Sequence, residues 1–366
     1  MQNQATQTSA IYFAPLLPWQ TALWEQVTTR SQNPNKPLPH ALLASGMAGL
    51  GKRAFIWRLV AWLLCYQRAS HPMGACGVCE SCHWLKSGTH PNLQVLPLAK
   101  LPCDPQDPNV VAKDDSTKKT AKPKDATIKV DDIRAIQPFI YQGGQGLKIC
   151  VIDNAEQMTM AAANALLKTL EEPQDFVHLM LITDSKAKLL PTINSRLQQL
   201  PIQQVSPKLA FEFVSQALGG VIQKMAATDD DIQQLINIAC GAPLAALALA
   251  QSPWYGKRAL WLTTWQALFS KKRSVIAASD YWQNELSLTE FIELSKLMMS
   301  DIQRVLLGLP SVQQDIDFDN ILQKHQPSFD AIQQFLAQID TTKIALQQNV
   351  QEKVAYDKLM AVLAAF

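Results

Sequence analysis

The chain has 366 residues, 48% of them hydrophobic and 17% charged, with a formal net charge of +2. That is enough apolar material for two or three domains with separate cores, and too little net charge for a global field that would hold the molecule on nucleic acid or an anionic membrane. The longest apolar run, near Leu59 to Tyr66, falls far short of the roughly 20 residues needed to span a bilayer, and Met1 to Trp19 has no basic leader-like start, so a soluble cytoplasmic protein is expected.

The first strand expected along the chain is Ala41 to Ser45, which runs into Gly46-Met47-Ala48-Gly49-Leu50-Gly51-Lys52-Arg53 and then a helical stretch from Arg53 to Tyr66. Strand, glycine-rich turn and helix come in the order of a phosphate-binding loop. Gly46, Gly49 and Gly51 let backbone N–H groups converge on phosphate oxygens, and Lys52 adds a mobile charge. The next position should carry the Ser or Thr hydroxyl that binds Mg²⁺, and it is Arg53. A guanidinium cannot ligate a cation. The loop could still hold nucleotide, with Arg53 replacing part of the metal's charge, but efficient phosphoryl transfer is not expected.

Of the seven cysteines, Cys76, Cys79 and Cys82 stand at two-residue gaps, and Cys65 closes the preceding helix. Four thiolates at this spacing predict a closed, structural Zn²⁺ site over 65–82. Cys103, Cys150 and Cys240 read as loop or core thiols. A strand is expected at Leu93 to Leu98, then a Pro-, Asp- and Lys-rich insertion at 100–127 with almost nothing to bury, read as disordered. The strand Leu147 to Asp153 ends in a carboxylate, as a Walker B segment does. Asn154 stands where a water-orienting Glu would be, and Glu156 reads as helix-surface charge. Further strands are expected at Val177 to Thr183 and Leu197 to Ile202. Beyond Pro207 helical periodicity runs to the end, with breaks near Gly219-Gly220, Gly241, Pro253 and Pro310.

The stretch Ala161 to Pro173 (Ala-Ala-Ala-Asn-Ala-Leu-Leu-Lys-Thr-Leu-Glu-Glu-Pro), with His40-Ala41-Leu42-Leu43, the phosphate loop, the cysteine cluster and His90-Pro91-Asn92, closely resembles the bacterial clamp-loader ATPases of the AAA+ class. The resemblance covers about 18–202. It implies an α/β P-loop domain over 1–206 carrying the zinc module, an all-helical lid at 207–252 and an all-helical collar at 253–366. It points to the delta-prime branch of DNA polymerase III clamp loaders rather than the gamma/tau motors, because Arg53, Asn154 and Leu244 replace the motors' hydroxyl, glutamate and sensor arginine.

Thr192-Ile193-Asn194-Ser195-Arg196 resembles the family's Ser-Arg-Cys motif, which implies that Arg196 reaches a neighbour's ATP as a trans arginine finger. Thr183 and Asp153 would belong to the degenerate nucleotide site, and ATP with Mg²⁺ is not expected to be turned over here. The implied role is a stator in a hetero-oligomer, bridging delta and gamma/tau subunits and meeting the sliding clamp and primer-template DNA through the assembly. The alternatives are an active gamma/tau-type motor in which Lys52 and Asp153 suffice, and a zinc-dependent DNA-binding module. Nothing resembles a polymerase active site; that activity belongs to the holoenzyme the family serves.

Overall fold

In a computed structural model, the described residues are 11–33, 37–97, 127–142, 146–202, 204–219, 228–325, 327–347 and 350–365. The insertion at 100–127 lies outside them except for Thr127, as does Cys103. The chain divides into two compact units, one of residues 1–217 with 241–245 and one of 218–240 with 246–366.

The first unit is built on five parallel strands, β1 (Ala41–Ser45), β2 (Leu93–Leu96), β3 (Lys148–Ile152), β4 (Val177–Thr183) and β5 (Gln198–Leu200), in the order β2-β3-β4-β1-β5. Alternate residues of each strand feed opposite faces. Leu42, Ala44, Ile149, Val151, Met180 and Ile182 pack with Trp24 of α1 (Thr21–Gln32) and with Phe55, Leu59 and Trp62 of α2 (Lys52–Leu64). Ala41, Leu43, Cys150, Ile152, Leu179 and Leu181 face the other way. They meet Ile133 and Ile136 of α4 (Val130–Tyr141), Leu166 and Leu170 of α5 (Met160–Glu171) and Ile193 of α6 (Pro191–Asn194). Both faces of the sheet are therefore covered, as parallel sheets require. A short helix, α3 (Glu80–Ser87), carries the last two cysteines of the cluster at its start, Cys79 as the residue before it and Cys82 inside it.

Two expected strands are found at their expected limits, 41–45 and 177–183, and the other three are shorter at their ends. Register puts Ser45 of β1 beside Thr183 of β4. The residues following β1, β3 and β4 therefore meet at one edge, where ligand sites of parallel α/β sheets form. After β5 the described secondary structure is helical: α7 (Pro207–Gly219), α8 (Asp229–Ile238), α9 (Pro243–Gln251), α10 (Arg258–Phe269), α11 (Val275–Glu285), α12 (Leu288–Leu306), α13 (Phe318–Lys324), α14 (Phe329–Gln347) and α15 (Glu352–Leu363). The core of the second unit holds Trp261, Trp265, Trp282, Phe291, Phe335 and Tyr356. Trp261 donates its indole N–H to Ser295 Oγ at 3.0 Å and Tyr356 its hydroxyl to Leu286 O at 2.7 Å, so these buried aromatics keep their polar ends satisfied. Among the described residues no single helix is long and apolar enough to cross a membrane.

Candidate functional site: a self-filled phosphate loop, a cysteine cluster and a surface arginine

The glycine loop has the backbone that its sequence demands. Gly49 and Gly51 lie at φ +88° and +75°, and a methyl group at either would collide with neighbours: Ala245 Cβ at 2.5 Å from the first, Leu17 Cδ1 at 2.2 Å from the second. The loop is also held from outside. Trp19 Nε1 donates to Leu50 O at 3.0 Å, Gln20 Nε2 to Leu50 O at 3.2 Å and Gly51 O at 2.9 Å, and Leu244 N–H to Gly49 O at 3.2 Å. Leu244 thus lies against the loop as an apolar contact. No charge reaches the loop from that position.

The centre of the site is filled by the chain's own charges. Arg53, 6% exposed, donates from Nε to both Asp153 oxygens at 2.9 and 3.2 Å, from Nη1 to Asp184 Oδ1 at 3.2 Å and from Nη2 to Asn154 Oδ1 at 2.6 Å. Lys52, 2% exposed, pairs with Asp184 and donates to Met47 O at 3.1 Å. Two buried cations thus face two carboxylates, which is the condition for keeping such charges out of water. Burial pulls the Lys52 ammonium below its ordinary pKa despite Asp184 beside it. At Asp184, burial is outweighed by Arg53 and Lys52, which hold the carboxyl below the usual range. At the more enclosed Asp153, burial wins over Arg53 and the carboxyl is pushed up.

Asn154 does more than mark a missing glutamate. It sits at φ +52°, a conformation Asn tolerates better than most residues, and its amide oxygen takes the guanidinium. Thr183 is fully buried, its hydroxyl accepting from Ser185 N–H at 3.1 Å and donating to Ser185 O at 3.2 Å, so it is committed to its own turn. Glu156 differs from the helix-surface charge expected of it: Oε1 accepts Asp184 N–H at 3.4 Å and Oε2 is buried without a hydrogen-bond partner among the described residues. Asp184 was not singled out in the sequence. An acidic residue directly after the strand that ends in Thr183 was the available signal.

The four cysteines come together. The Sγ atoms of Cys65, Cys76, Cys79 and Cys82 lie within 4.8 Å of one another, with Cys65 to Cys79 and Cys76 to Cys82 both at 3.9 Å. Thiolates around a tetrahedral metal with bonds of about 2.3 Å stand about 3.8 Å apart, so the donors fit such an ion. Backbone N–H groups of Cys76 and Cys79 point at the sulfurs of Cys65 (3.4 Å) and Cys76 (3.3 Å). Burial pushes the Cys82 and Cys65 thiols up, a cost that a bound cation relieves. The cluster is tied to the sheet through Ser81, whose Oγ donates to Leu64 O at 2.7 Å and meets His90 Nε2 at 2.9 Å, while His90 Nδ1 accepts Asn92 N–H at 3.1 Å. That assignment leaves His90 neutral and explains the His-Pro-Asn triplet as a brace between the cluster and β2. Burial holds this imidazole down at about 4.

Arg196 stands apart from the filled loop, at the surface just after α6. Its Nη1 donates to Thr192 O at 3.0 Å and Ser195 Oγ at 3.3 Å, and Nη2 pairs with Glu171 Oε1 at 2.5 Å.

The family model described as DNA polymerase III, delta subunit matches residues 19–206, just over half of the chain. A protein named DNA polymerase III subunit delta' from Pseudomonas aeruginosa is 35% identical over 238 residues, 64% of this chain and 62% of that one. One of the same name from Haemophilus influenzae is 29% identical over 260 residues, covering 70% and 68%. The chain thus spans less than two thirds of the Pseudomonas relative's length. A solved DNA polymerase III gamma subunit-related protein from Thermotoga maritima is 16% identical with a TM-score of 0.38, covering 94% of this chain and 99% of that one. Because the family model matches more than half of the chain, and relatives of up to 35% identity carry the delta-prime name, the chain belongs to the DNA polymerase III, delta subunit family.

Proposed function

We propose that this chain is the stator-type, delta-prime-like subunit of a clamp loader: it bridges delta and gamma/tau subunits, hydrolyses no ATP itself, and lends Arg196 to ATP held by an adjoining motor subunit. The observation that carries the reading is the occupied phosphate loop. Arg53 places a fixed guanidinium between Asp153, Asn154 and Asp184, where a motor needs a magnesium shell and a polarised water. Arginine stays charged and cannot be displaced without stranding those carboxylates. Lys52 is turned to Asp184 and to the loop's own Met47 carbonyl. The lid at 207–252 and the collar at 253–366 remain part of this proposal, with the collar joining the other subunits around the sliding clamp and primer-template DNA.

In the proposed role the four cysteines hold zinc. With all four positions taken by protein, the ion supplies no catalysis and only fixes the 65–82 segment. A zinc-dependent DNA-binding module gains no support from an Arg53 network that has no part in it. The test is equilibrium binding of Mg-ATP to the purified chain. No saturable binding up to millimolar nucleotide is expected; micromolar binding accompanied by magnesium-dependent turnover by the chain alone would return it to the motor class.

A further inference from the structure

The partner of Arg196 comes from the other signature segment. Glu171 is the last residue of α5, and a carboxylate there faces the negative end of the helix dipole, an unfavourable place for it. Pro173 follows soon after and stops the helix. What Glu171 has in that position is Arg196, with Oε1 at 2.5 Å from Nη2. The pair lies at the surface, the arginine side chain 36% and the glutamate 50% exposed. Exposed pairs of this kind add little to stability, so the effect to look for is orientation.

A guanidinium has five N–H groups. Nη1 donates to Thr192 O and Ser195 Oγ, and Nη2 is ion-paired with Glu171 Oε1. The Nε–Nη2 edge makes no hydrogen bond to a protein acceptor among the described residues, and Glu171 meets it as a counter-charge at Nη2. This edge can grip two oxygens of one phosphate. An unrestrained arginine would have to give up its rotamer freedom each time it docked on a neighbour's nucleotide, and one already held gives up less.

We propose that Glu171 is a positioning residue for Arg196: it fixes the guanidinium so that this edge is presented outward to a phosphate of nucleotide held by an adjoining subunit, and it does not itself touch that nucleotide. The inference rests on the trans-arginine reading. Glu171 acts on the reaction only through Arg196, so its effect belongs in the turnover step and not in ATP capture.

The experiment is a double-mutant cycle in the assembled loader with clamp and primer-template DNA, following steady-state ATP turnover. Glu171→Ala is expected to lower stimulated kcat by at least about three-fold, a part of what the arginine itself supplies, with KM for ATP unchanged. Glu171→Gln, which keeps an acceptor oxygen, recovers part of the loss. In an Arg196→Ala background Glu171→Ala costs nothing further. An equal loss in both backgrounds, or a normal Glu171→Ala rate beside a slow Arg196→Ala, overturns the positioning role alone. Wild-type turnover by Arg196→Ala overturns the trans-arginine reading and this inference with it.

Discussion

Cys79→Ser should cost the chain its metal and the order of the 65–82 segment together. The segment buries little beyond Cys65, Ser81 and Cys82, too little to hold itself without a crosslink. Its remaining ties are hydrogen bonds to the surrounding chain, among them Trp24 Nε1 to Pro72 O at 2.9 Å, Trp62 Nε1 to His71 O at 2.9 Å, Arg68 Nη1 to Leu63 O at 2.8 Å and Ser81 Oγ to Leu64 O at 2.7 Å. Structural zinc bound to four protein ligands is worth on the order of 10 kcal/mol, far more than those bonds supply at about 1 kcal/mol each. Elemental analysis is expected to give one zinc per wild-type chain and none in the variant, with new protease cuts in 65–82 and an intact sheet. Full metal content in Cys79→Ser, or unchanged protease resistance after chelation, would contradict the zinc assignment.

Arg53→Ala should be the most damaging single change in the filled loop, by about 3–5 kcal/mol, because it leaves the enclosed Asp153 carboxylate without its counter-charge. Asp153 loses the Nε–H that its two oxygens share and Asn154 its guanidinium, while Asp184 keeps Lys52. The pH dependence has a definite sign. In the wild type Asp184 is held low, so the stability it contributes is present above the ordinary carboxyl pKa and is lost as pH falls through its folded value. Asp153 is already held high by burial, and removing Arg53 raises it further. A carboxyl raised in the folded state costs stability as pH rises through that folded value. The gap between wild type and Arg53→Ala is therefore expected to narrow as pH is lowered from neutrality toward the ordinary carboxyl range. Denaturant unfolding of the full chain at several pH values measures it. A loss under about 1 kcal/mol, or a gap that does not change with pH, would show that the network is not what holds the loop.

The sheet was legible because each of its long strands carries an unbroken apolar run that both faces need, and because the glycines at 49 and 51 have no substitute at those backbone angles. The cysteine cluster was legible from spacing alone, since a thiolate set two residues apart next to a helix end has few ways to diverge. What the sequence hid is pairing across distance. Arg53 announces a missing hydroxyl, but that its guanidinium would meet Asp153, 100 residues on, and Asp184, 131 residues on, depends on strand order. Glu156 was misplaced for the same reason: helical spacing puts it on a surface, and only the packing of β4 beside β3 brings Asp184 N–H over it. Glu171 and Arg196 belong to two separate signature segments, and nothing in either spacing says that they touch.

In the role proposed, the subunit contributes an arginine to hydrolysis and consumes no ATP. ATP turnover in the reconstituted loader, stimulated by clamp and primer-template DNA, separates the two contributions when wild type is compared with Arg196→Ala and Lys52→Met after each is shown to assemble. A slow Arg196→Ala loader beside a normal Lys52→Met loader is expected. A slow Lys52→Met loader beside a normal Arg196→Ala one would overturn that role and make the filled loop a working nucleotide site.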